Sequence, residues 1–289
     1  MCVFIAKKGE LAMEGWKYYN HALIPTTAPH VTPNTYEIYN GNIWRKKWEG
    51  LPLFARWTSN FDCGYETNWW YVIKDAPYVF DELSSGQRKD IRRAFKKCYV
   101  IKINALDYVE DILRVHKEAI LRYKKWNQKI NEETFKENIR KNSSNFDYWG
   151  AFSLNNNQLI GYMMVSIVDQ DCVEMNVAKF SSIHLKTQMS DAMYHTVLNY
   201  YLNEKQYKYI SSGQRSINHV TNTEDYIIQR FKYRRAYCTL NIEYNPRIVR
   251  IIKIIYPFRK LLKMLDNINI IHKVNAVLLM EEIKRKQHE

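Results

Sequence analysis

A short predicted strand places two polar side chains where they could handle a proton together. The segment CVEMNVAKF, residues 172–180, alternates so that its even-numbered residues share one face, on which Glu174 and Asn176 are polar. Its odd-numbered residues, including Lys179, are predicted on the other face. A carboxylate can take up a proton, and an amide beside it can orient the group that loses it. The same pattern also fits the solvent-facing side of an antiparallel sheet, and both interpretations stay open.

Two groups of basic residues could bind phosphate. The first fills six of ten consecutive positions in a predicted helix, with Arg88, Lys89, Arg92, Arg93, Lys96 and Lys97. Like charges at helical spacing cost roughly 0.2–0.5 kcal/mol each, so a bound anion would relieve them. The second group contains Arg215, Lys232, Arg234 and Arg235. Because guanidinium forks suit phosphate, we expect an anionic substrate at Arg88, Arg92, Arg215 and Lys232. A solvated helix face and chance clustering are the alternatives.

Several common sites are excluded by spacing. The nine glycines lie too far apart for GxGxxG or a P-loop, whose glycines let backbone amides crowd onto phosphate. The eight histidines are too dispersed to form a zinc-binding pair on one helix. The five cysteines are odd in number and widely spaced, which fits neither a disulfide framework nor a CxxC site. The sequence therefore predicts no metal and no tightly bound cofactor.

The charge of the chain indicates anionic partners. Its 289 residues carry a formal net charge of +13, which suits nucleic acid, a phosphorylated substrate or a membrane surface. An AT-biased genome would also enrich Lys, Ile, Asn and Tyr, so local clusters are the stronger evidence. No uncharged apolar run approaches the ~18 residues of a spanning helix, and the start MCVFIAKKGE lacks the order of a secretory signal. We expect a cytoplasmic protein.

We divide the chain into a β-rich region at 1–80, a mixed region at 81–245 and a basic helical tail at 246–289. In the first region, YEIYN (36–40) and NIWRKKWE (42–49) are predicted to form a hairpin. The tryptophans of this region are expected in a core, with a stacking platform for a ligand as the alternative. They are Trp44, Trp48, Trp57, Trp69 and Trp70.

The mixed region alternates helices and strands. Its predicted order from 84 to 245 is α, β, α, α, β, β, β, α, β, α, β, with capping boxes at Ser84/Gln87 and Thr221/Glu224. The three consecutive strands form an antiparallel meander, Ser190 is expected to cap the helix after it, and 234–244 is expected as one final strand. This order predicts a mixed α/β fold of the α+β kind, with a largely antiparallel sheet and helices on both faces.

That order, together with two stretches of sequence, resembles the acyl-CoA N-acyltransferase (GNAT) fold and, within it, the Fem-type peptidyltransferase branch. LSSGQRKDIRRAFKK (83–97) is similar to the basic helix of that branch. In ISSGQRSINHVTNTEDYIIQRFKYRRAY (210–237), Gly213 and the pair Phe231 and Lys232 match its pattern. The glycine-containing loop that acetyl-CoA users place before the long helix is replaced by FSSIHLKTQMSDAM. The resemblance therefore implies acyl-CoA or an aminoacyl-tRNA as the donor co-substrate.

The resemblance also implies roles for single residues. In this fold a splayed fourth strand presents main-chain amides to the acyl carbonyl, which makes Glu174 the expected base and Asn176 the orienting group. Tyr226 is expected as a general acid, because members of the family often present a tyrosine there. Lys186 and Ser190 are expected to receive the anionic part of the donor. Because no Ser or Cys lies in a motif such as GxSxG, direct attack without a covalent enzyme intermediate is expected.

The tail at 246–289 combines many cations with apolar residues at helical spacing, interrupted by Pro257. Ile248, Ile251, Ile252, Ile255, Leu262 and Leu265 form its apolar series. Such a segment is typical of a helix on a membrane surface. It also fits a helix that packs on the protein's own core or on a partner subunit.

These features together predict an N-acyltransferase that acts on an amine of an anionic cell-envelope or polysaccharide precursor, either a small molecule or lipid-linked. Transfer RNA is an expected partner if it delivers the donor, and the tail would give peripheral contact with the inner face of the membrane. The alternative is a non-catalytic protein with the same fold that binds RNA or anionic lipid.

Overall fold

The computed structural model describes residues 15–121, 130–217 and 223–287. Its strands are β1 (Trp16–Tyr19), β2 (Ala22–Pro25), β3 (Phe54–Ser59), β4 (Trp70–Asp75), β5 (Cys98–Ile103), β6 (Asp147–Ser153), β7 (Leu159–Ile167), β8 (Cys172–Phe180), β9 (Tyr209–Gln214), β10 (Arg234–Tyr237) and β11 (Thr239–Tyr244). Its α-helices are α1 (Tyr36–Tyr39), α2 (Ser85–Phe95), α3 (Val109–Ile120), α4 (Glu132–Asn142), α5 (Met189–Leu198), α6 (Thr223–Phe231), α7 (Val249–Ile255), α8 (Arg259–Met264) and α9 (Asn269–Lys286).

The chain divides into two compact units. Unit 1 comprises the described residues from 73 to 213 and from 225 to 234. Unit 2 comprises the described residues from 15 to 72, from 214 to 224 and from 235 to 287. The division into regions 1–80, 81–245 and 246–289 remains a prediction from the sequence.

Unit 1 is built on an antiparallel meander. Strands β5, β6, β7 and β8 pair antiparallel in succession, and β9 joins β8 in parallel. Over the described residues, the sheet that contains them has the order β10-β4-β9-β8-β7-β6-β5. The predicted mixed fold with a largely antiparallel sheet is confirmed.

Helices cover both faces of the meander. Tyr148 of β6 belongs to one buried cluster with Ile112 of α3 and Ile139 of α4. Its neighbour Trp149 instead donates its ring N–H to the hydroxyl of Tyr201, in the turn that follows α5, at 3.3 Å. Because consecutive strand side chains point to opposite faces, α3 and α4 lie on one face of the sheet and α5 lies on the other.

The basic helix α2 begins as its sequence predicts. The Ser84 hydroxyl accepts from the Gln87 amide at 3.3 Å, and the Gln87 side chain accepts from the Ser84 amide at 3.0 Å. Ile91 and Ala94 are buried, whereas Phe95, the last residue of α2, is exposed. The second predicted capping box includes Thr221, which lies outside the described residues.

Unit 2 contains a smaller sheet with the order β1-β2-β3-β11. Trp57 is buried in its core, Trp44 and Trp48 pack against that core, and Trp69 is fully buried. These four tryptophans therefore have the structural role that was expected. Helix α9 packs on this sheet, where the Tyr244 hydroxyl donates to the Glu281 carboxylate at 3.0 Å.

Two predictions of secondary structure are wrong. The segment 36–49 is not a hairpin, since it forms α1 and a 3₁₀ turn at Asn42–Arg45. Gly41, with a left-handed φ of 75°, joins these two turns, and each turn buries one apolar residue, Ile38 and Ile43. The segment 234–244 is not one strand, because it divides at buried Cys238 into β10 and β11, which belong to different sheets.

Candidate active site

The parallel pairing of β8 with β9 stops partway along both strands. It joins Cys172, Val173 and Glu174 to Tyr209, Ile210 and Ser211. Strand β8 then continues to Phe180, and β9 continues to Gln214, without further register between them. The two strands therefore separate beyond Glu174. Among the described residues, no strand pairs with the edge of β8 from 175 to 180 on the side of this opening.

A β-bulge lies at the point of separation. Met175 is opposite Val165 of β7, but Val177 is opposite the next residue, Met164, so Asn176 is an extra residue on β8. Bulges interrupt the pairing of a strand, turn it and redirect its side chains, and they are common beside active sites. The side-chain oxygen Oδ1 of Asn176 is buried and has no hydrogen-bond partner. A buried acceptor in this state is costly in free energy unless a ligand satisfies it.

Beyond the bulge, the residues of β8 point to the faces opposite to those predicted from the sequence. Glu174 is opposite Ser166, and Val177 is opposite Met164, so both stand on the same face of the sheet. Lys179 also joins that face, although it was predicted on the other one. Ala178 is opposite Met163 and turns away from Glu174. The alternation predicted from the sequence holds up to Met175 and shifts by one residue after it.

The carboxylate of Glu174 stands at the mouth of the opening beside a glycine. Gly213 of β9 has a left-handed φ of 95°, and a Cβ added there would lie 3.8 Å from Oε1 of Glu174. The Gly213 amide donates to the hydroxyl of Ser211 at 3.0 Å, which fixes the bend. Glu174 and Asn176, the predicted base and orienting group, are thus brought to one place, where the two strands part.

The cysteine on the same strand is not a nucleophile. Cys172 is fully buried, and this burial raises the pKa of its thiol to about 12. A thiol that stays protonated at neutral pH is unreactive toward carbonyl carbon.

The hydroxyl of Tyr226 lies in a cluster of charged groups at the start of α5. It donates to Oδ1 of Asp191 at 2.7 Å and lies 3.1 Å from Oγ of Ser190. Arg230 of the same helix, α6, binds both oxygens of Asp191, at 3.0 and 2.8 Å, and reaches Asp90 of α2 at 3.0 Å. Burial, followed by the charge of Asp191, raises the pKa of the Tyr226 phenol. The cluster ties α2, α5 and α6 together.

Aromatic contacts connect this cluster to the end of β8. The ring of Tyr194, on α5, lies 5.9 Å from the ring of Tyr226 and 6.4 Å from that of Phe180, the last residue of β8. Tyr233 reaches the sulfur of Met175 at 3.6 Å from the other end of α6. The helices around the cluster therefore support the strand that lines the opening.

Lys186 and Ser190 were expected to receive the donor anion, but Ser190 does not occupy the predicted N-cap position of α5. The N-cap of α5 is Gln188, in a left-handed conformation with φ 60°, so Ser190 lies inside the first turn and does not cap the helix. The exposed Lys186 precedes this helix, and its carbonyl accepts from Nζ of Lys97 at 3.0 Å. Two ammonium groups, one from the predicted basic helix and one from the predicted donor loop, therefore lie in neighbouring segments.

The residues expected to bind the substrate anion are divided between several places. Arg88 donates to the carbonyl of Asp81 at 2.6 Å, and Arg92 lies over the ring of Phe80 at 5.4 Å, so both hold the turn before α2. Lys232 is an exposed residue of unit 1 with a left-handed φ of 58° just after α6, and Arg215 belongs to unit 2.

In unit 2, two guanidinium groups lie against one indole ring. Arg215 and Arg235 stand 4.6 and 4.7 Å from the ring centre of Trp70. The carboxylate of Glu224 accepts from Arg235 at 2.8 Å and from the ring N–H of Trp70 at 3.0 Å. Arg235 is thus paired with an acidic group, whereas Arg215 donates to the carbonyl of Asn68. Trp70 thus stacks on arginine side chains of the protein, and its role as a stacking platform for a ligand stays a prediction.

A groove in unit 1 lies elsewhere. It has a volume of about 390 Å³ and is lined by residues of α5 and β5 together with Trp149. Its described lining contains no residue of β8 or β9, so it is distinct from the opening between those strands. Among the described residues, no group of three or more His, Cys, Asp or Glu side chains could hold a metal ion.

Sequence reasoning missed the bulge and the acidic half of the cluster around Tyr226. No pattern in CVEMNVAKF marks Asn176 as an extra residue, because a bulge depends on the register of the neighbouring strand. Asp191 and Arg230 lie 39 positions apart, and only the packing of α5 against α6 brings them together. The resemblance did point to Tyr226 itself.

A meander, a parallel strand that separates from it at a bulge, and helices on both faces define a GNAT-like fold. No family model matches the sequence, and no curated protein matches it. Among solved structures, the chain is similar to a protein from Agrobacterium fabrum described as the C-terminal domain of a lysylphosphatidylglycerol synthetase. The identity is 9%, the TM-score is 0.51, and the match covers 82% of each chain. It is also similar to FemX, with 6% identity, a TM-score of 0.50 and 63% of each chain covered.

Proposed function

We propose that the chain is an N-acyltransferase that transfers an acyl or aminoacyl group to an amine of an anionic cell-envelope or polysaccharide precursor. The observation that supports this most strongly is the opening between β8 and β9, with Glu174 at its mouth and the bulge at Asn176 inside it. A strand edge that faces an opening can offer its amides to a carbonyl oxygen as charge develops on that atom. The name of the Agrobacterium fabrum protein refers to an aminoacylated phospholipid, which fits an anionic, lipid-linked substrate.

The proposed reaction is a direct attack. The amine nitrogen forms a bond to the acyl carbon, and the bond from that carbon to the donor's sulfur or ribose oxygen breaks. Glu174 takes the proton that the amine loses. The unpartnered Oδ1 of Asn176 accepts an N–H of the amine and so directs the nitrogen lone pair toward the carbonyl. The proton then passes to the leaving sulfur or oxygen.

Tyr226 has a more specific proposed role than its position in the sequence suggests. Its hydroxyl proton is directed at Asp191, and burial keeps the phenol protonated. We therefore propose that Tyr226 positions the start of α5 in this state. It would act as a proton donor to the leaving group only after its hydroxyl turns away from Asp191.

The donor is proposed to enter at the start of α5. Lys186 and Lys97 are exposed there and would bind the phosphates of coenzyme A or of the tRNA acceptor end, and Ser190 would add a hydroxyl from the first helical turn. The exposed cations of α2, including Arg92, would attract an anionic acceptor. Lys232 and Arg215 are proposed to contribute contacts of the same kind, and no cofactor is proposed to be tightly bound.

The decisive experiment compares two carboxylate variants of the full chain. Glu174→Gln should lower acyl transfer to an amine by roughly 10²–10⁴-fold, the usual contribution of a general base. Glu66→Gln, which changes an exposed carboxylate of unit 2 in the same way, should leave the rate unchanged. Both variants should unfold at the temperature of the parent protein. Equal rates for the parent and Glu174→Gln would contradict the proposal and favour a non-catalytic binder of RNA or anionic lipid.

A thermal-shift series identifies the donor class. Acyl-CoA should raise the unfolding temperature if coenzyme A is the carrier, and Lys186→Ala should reduce that rise. If no CoA ester has an effect but a charged tRNA does, the carrier is tRNA. In the tRNA case the affinity should fall steeply with salt, as phosphate contacts do.

A further inference from the structure

The last quarter of the chain contains an exposed apolar stripe that no part of the described structure covers. Helices α7 and α8 follow one another closely, with a 3₁₀ turn at Tyr256–Phe258 between them. Six apolar residues of this segment are each at least 44% exposed, namely Ile251, Ile254, Phe258, Leu261, Leu265 and Ile268. Their spacing alternates between three and four positions, which is the spacing of one helical face. We call this set the apolar stripe.

The opposite side of the same segment is fastened to α9. Tyr256 lies between Arg259 and Arg285, whose guanidinium carbons are 4.4 and 3.8 Å from its ring centre. The carbonyl of Leu262 accepts from Asn275 at 3.1 Å. Because the C-terminal half of α9 packs on the small sheet of unit 2, α7 and α8 have a fixed support. The stripe therefore points away from the groups that hold the segment in place.

The charges around the stripe have almost a single sign. Between residues 246 and 280 the sequence contains seven cations and one acidic residue, Asp266, which is bound by His272 and Asn275. Six of the cations are exposed: Arg247, Arg250, Lys253, Lys260, Lys263 and Lys273. A second copy of the chain would bring these like charges together, which disfavours self-association through this face. An anionic lipid surface satisfies both the apolar stripe and the cations.

We propose that α7 and α8 dock the protein on an anionic membrane surface, with the apolar stripe inserted at the boundary between headgroups and acyl chains. In the described residues no helix is long and apolar enough to cross a membrane. The helical tail predicted from the sequence therefore has two roles in this proposal. Helix α9 packs on the protein, and helices α7 and α8 contact the lipid. Within the segment Ile252 is buried, whereas Ile251 is exposed, so the lipid-facing side differs from the one that the sequence suggested. This inference does not depend on the proposed acyl transfer.

Vesicle flotation with the full chain tests the proposal. The protein should float with vesicles of equal parts phosphatidylglycerol and phosphatidylcholine, and should float less as salt is raised. It should bind vesicles of phosphatidylcholine alone at least tenfold more weakly. The double variant Ile254→Glu and Leu261→Glu should lose at least tenfold in binding. The matched control Leu154→Glu, which changes an exposed leucine of unit 1, should bind like the parent.

The results distinguish a lipid surface from a second copy of the chain as the binding partner of the apolar stripe. Both variants should keep the parent unfolding temperature, because the changed side chains are exposed. Equal flotation of the double variant and the parent would overturn the proposal. A dimer in lipid-free ultracentrifugation that the double variant abolishes would also overturn it, since the stripe would then bind a second copy. The double variant Lys260→Glu and Lys263→Glu should bind anionic vesicles more weakly than the parent. Unchanged binding would show that these two charges do not contribute to docking.

Discussion

The hydroxyl of Tyr226 donates to the carboxylate of Asp191 at 2.7 Å, at the start of the helix that follows the meander. Asp191 is 4% exposed, so its charge is stabilised by groups of the protein rather than by water. Arg230 supplies the balancing charge through two hydrogen bonds. This contact places a family-typical tyrosine in a structural network beside the proposed donor site.

The network gives a prediction about stability. Arg230→Ala leaves Asp191 buried without its counter-charge and should lower the free energy of unfolding by about 3–5 kcal/mol. Tyr226→Phe removes one hydrogen bond to a carboxylate that Arg230 still neutralises, and should cost about 1.5–3 kcal/mol. Urea denaturation measures both values. A smaller loss for Arg230→Ala than for Tyr226→Phe would show that Asp191 is not a buried charge.

The burial of His116 allows a prediction of how the free energy of unfolding changes with pH. It is buried on α3, its Nδ1 lies 2.8 Å from the hydroxyl of Tyr162, and burial lowers its pKa to about 4. Because the unfolded histidine titrates near 6.5, its contribution is present above that pH and is lost as the pH falls toward 4. The size of the effect is about 3 kcal/mol.

The variant His116→Gln checks this dependence. It keeps a polar partner for Tyr162 but does not titrate, so its stability should fall less than that of the parent between about pH 7 and pH 4. Denaturation at several pH values gives the difference. Parallel pH profiles for the two proteins would mean that folding does not lower the pKa of His116.

Two glycines should respond to alanine in opposite directions. A Cβ at Gly161 would lie 2.7 Å from the Phe180 ring, so Gly161→Ala should lower stability by about 1–3 kcal/mol. Gly86, in the first turn of α2, has open space around its Cα, so Gly86→Ala should raise stability by about 0.4–1 kcal/mol. Thermal unfolding of the two variants measures both effects. A loss for Gly86→Ala would contradict the open space at that position, and no loss for Gly161→Ala would contradict the packing against Phe180.

Asn176 should separate stability from activity. Removing a buried acceptor that has no partner costs the folded protein little, so Asn176→Ala should unfold within about 0.5 kcal/mol of the parent. If Oδ1 orients the amine, the same variant should lose turnover by at least tenfold with a smaller change in KM for the donor. A variant as active as the parent would remove Asn176 from the proposed reaction.

Much of unit 1 follows from local sequence. CVEMNVAKF becomes β8 with the predicted bounds, and the predicted three-strand meander forms as β6, β7 and β8, because the strands carry the apolar period of a sheet. The basic helix begins at its predicted capping box. Hydrophobic period and capping are local properties that a single sequence records.

Other features depend on distant residues, and the sequence did not reveal them. YEIYN and NIWRKKWE contain strand-forming residues, but burial of Ile38 and Ile43 in the core of unit 2 favours two short helical turns. The bulge at Asn176 depends on β7, and the cluster around Asp191 depends on the packing of three helices. The residues proposed for the chemistry could be selected by type, but their geometry could not.

The extra residue at position 176 also determines to which face of the sheet each later residue of β8 points. Val177 packs into the cluster beneath α3 only because the strand has gained one position, and Phe180 reaches Tyr194 for the same reason. Deleting Asn176 would turn Val177 out of that cluster and rotate Lys179 to the opposite side. A single inserted residue thus couples the opening to the hydrophobic interior, so the strand could not become regular without losing core packing.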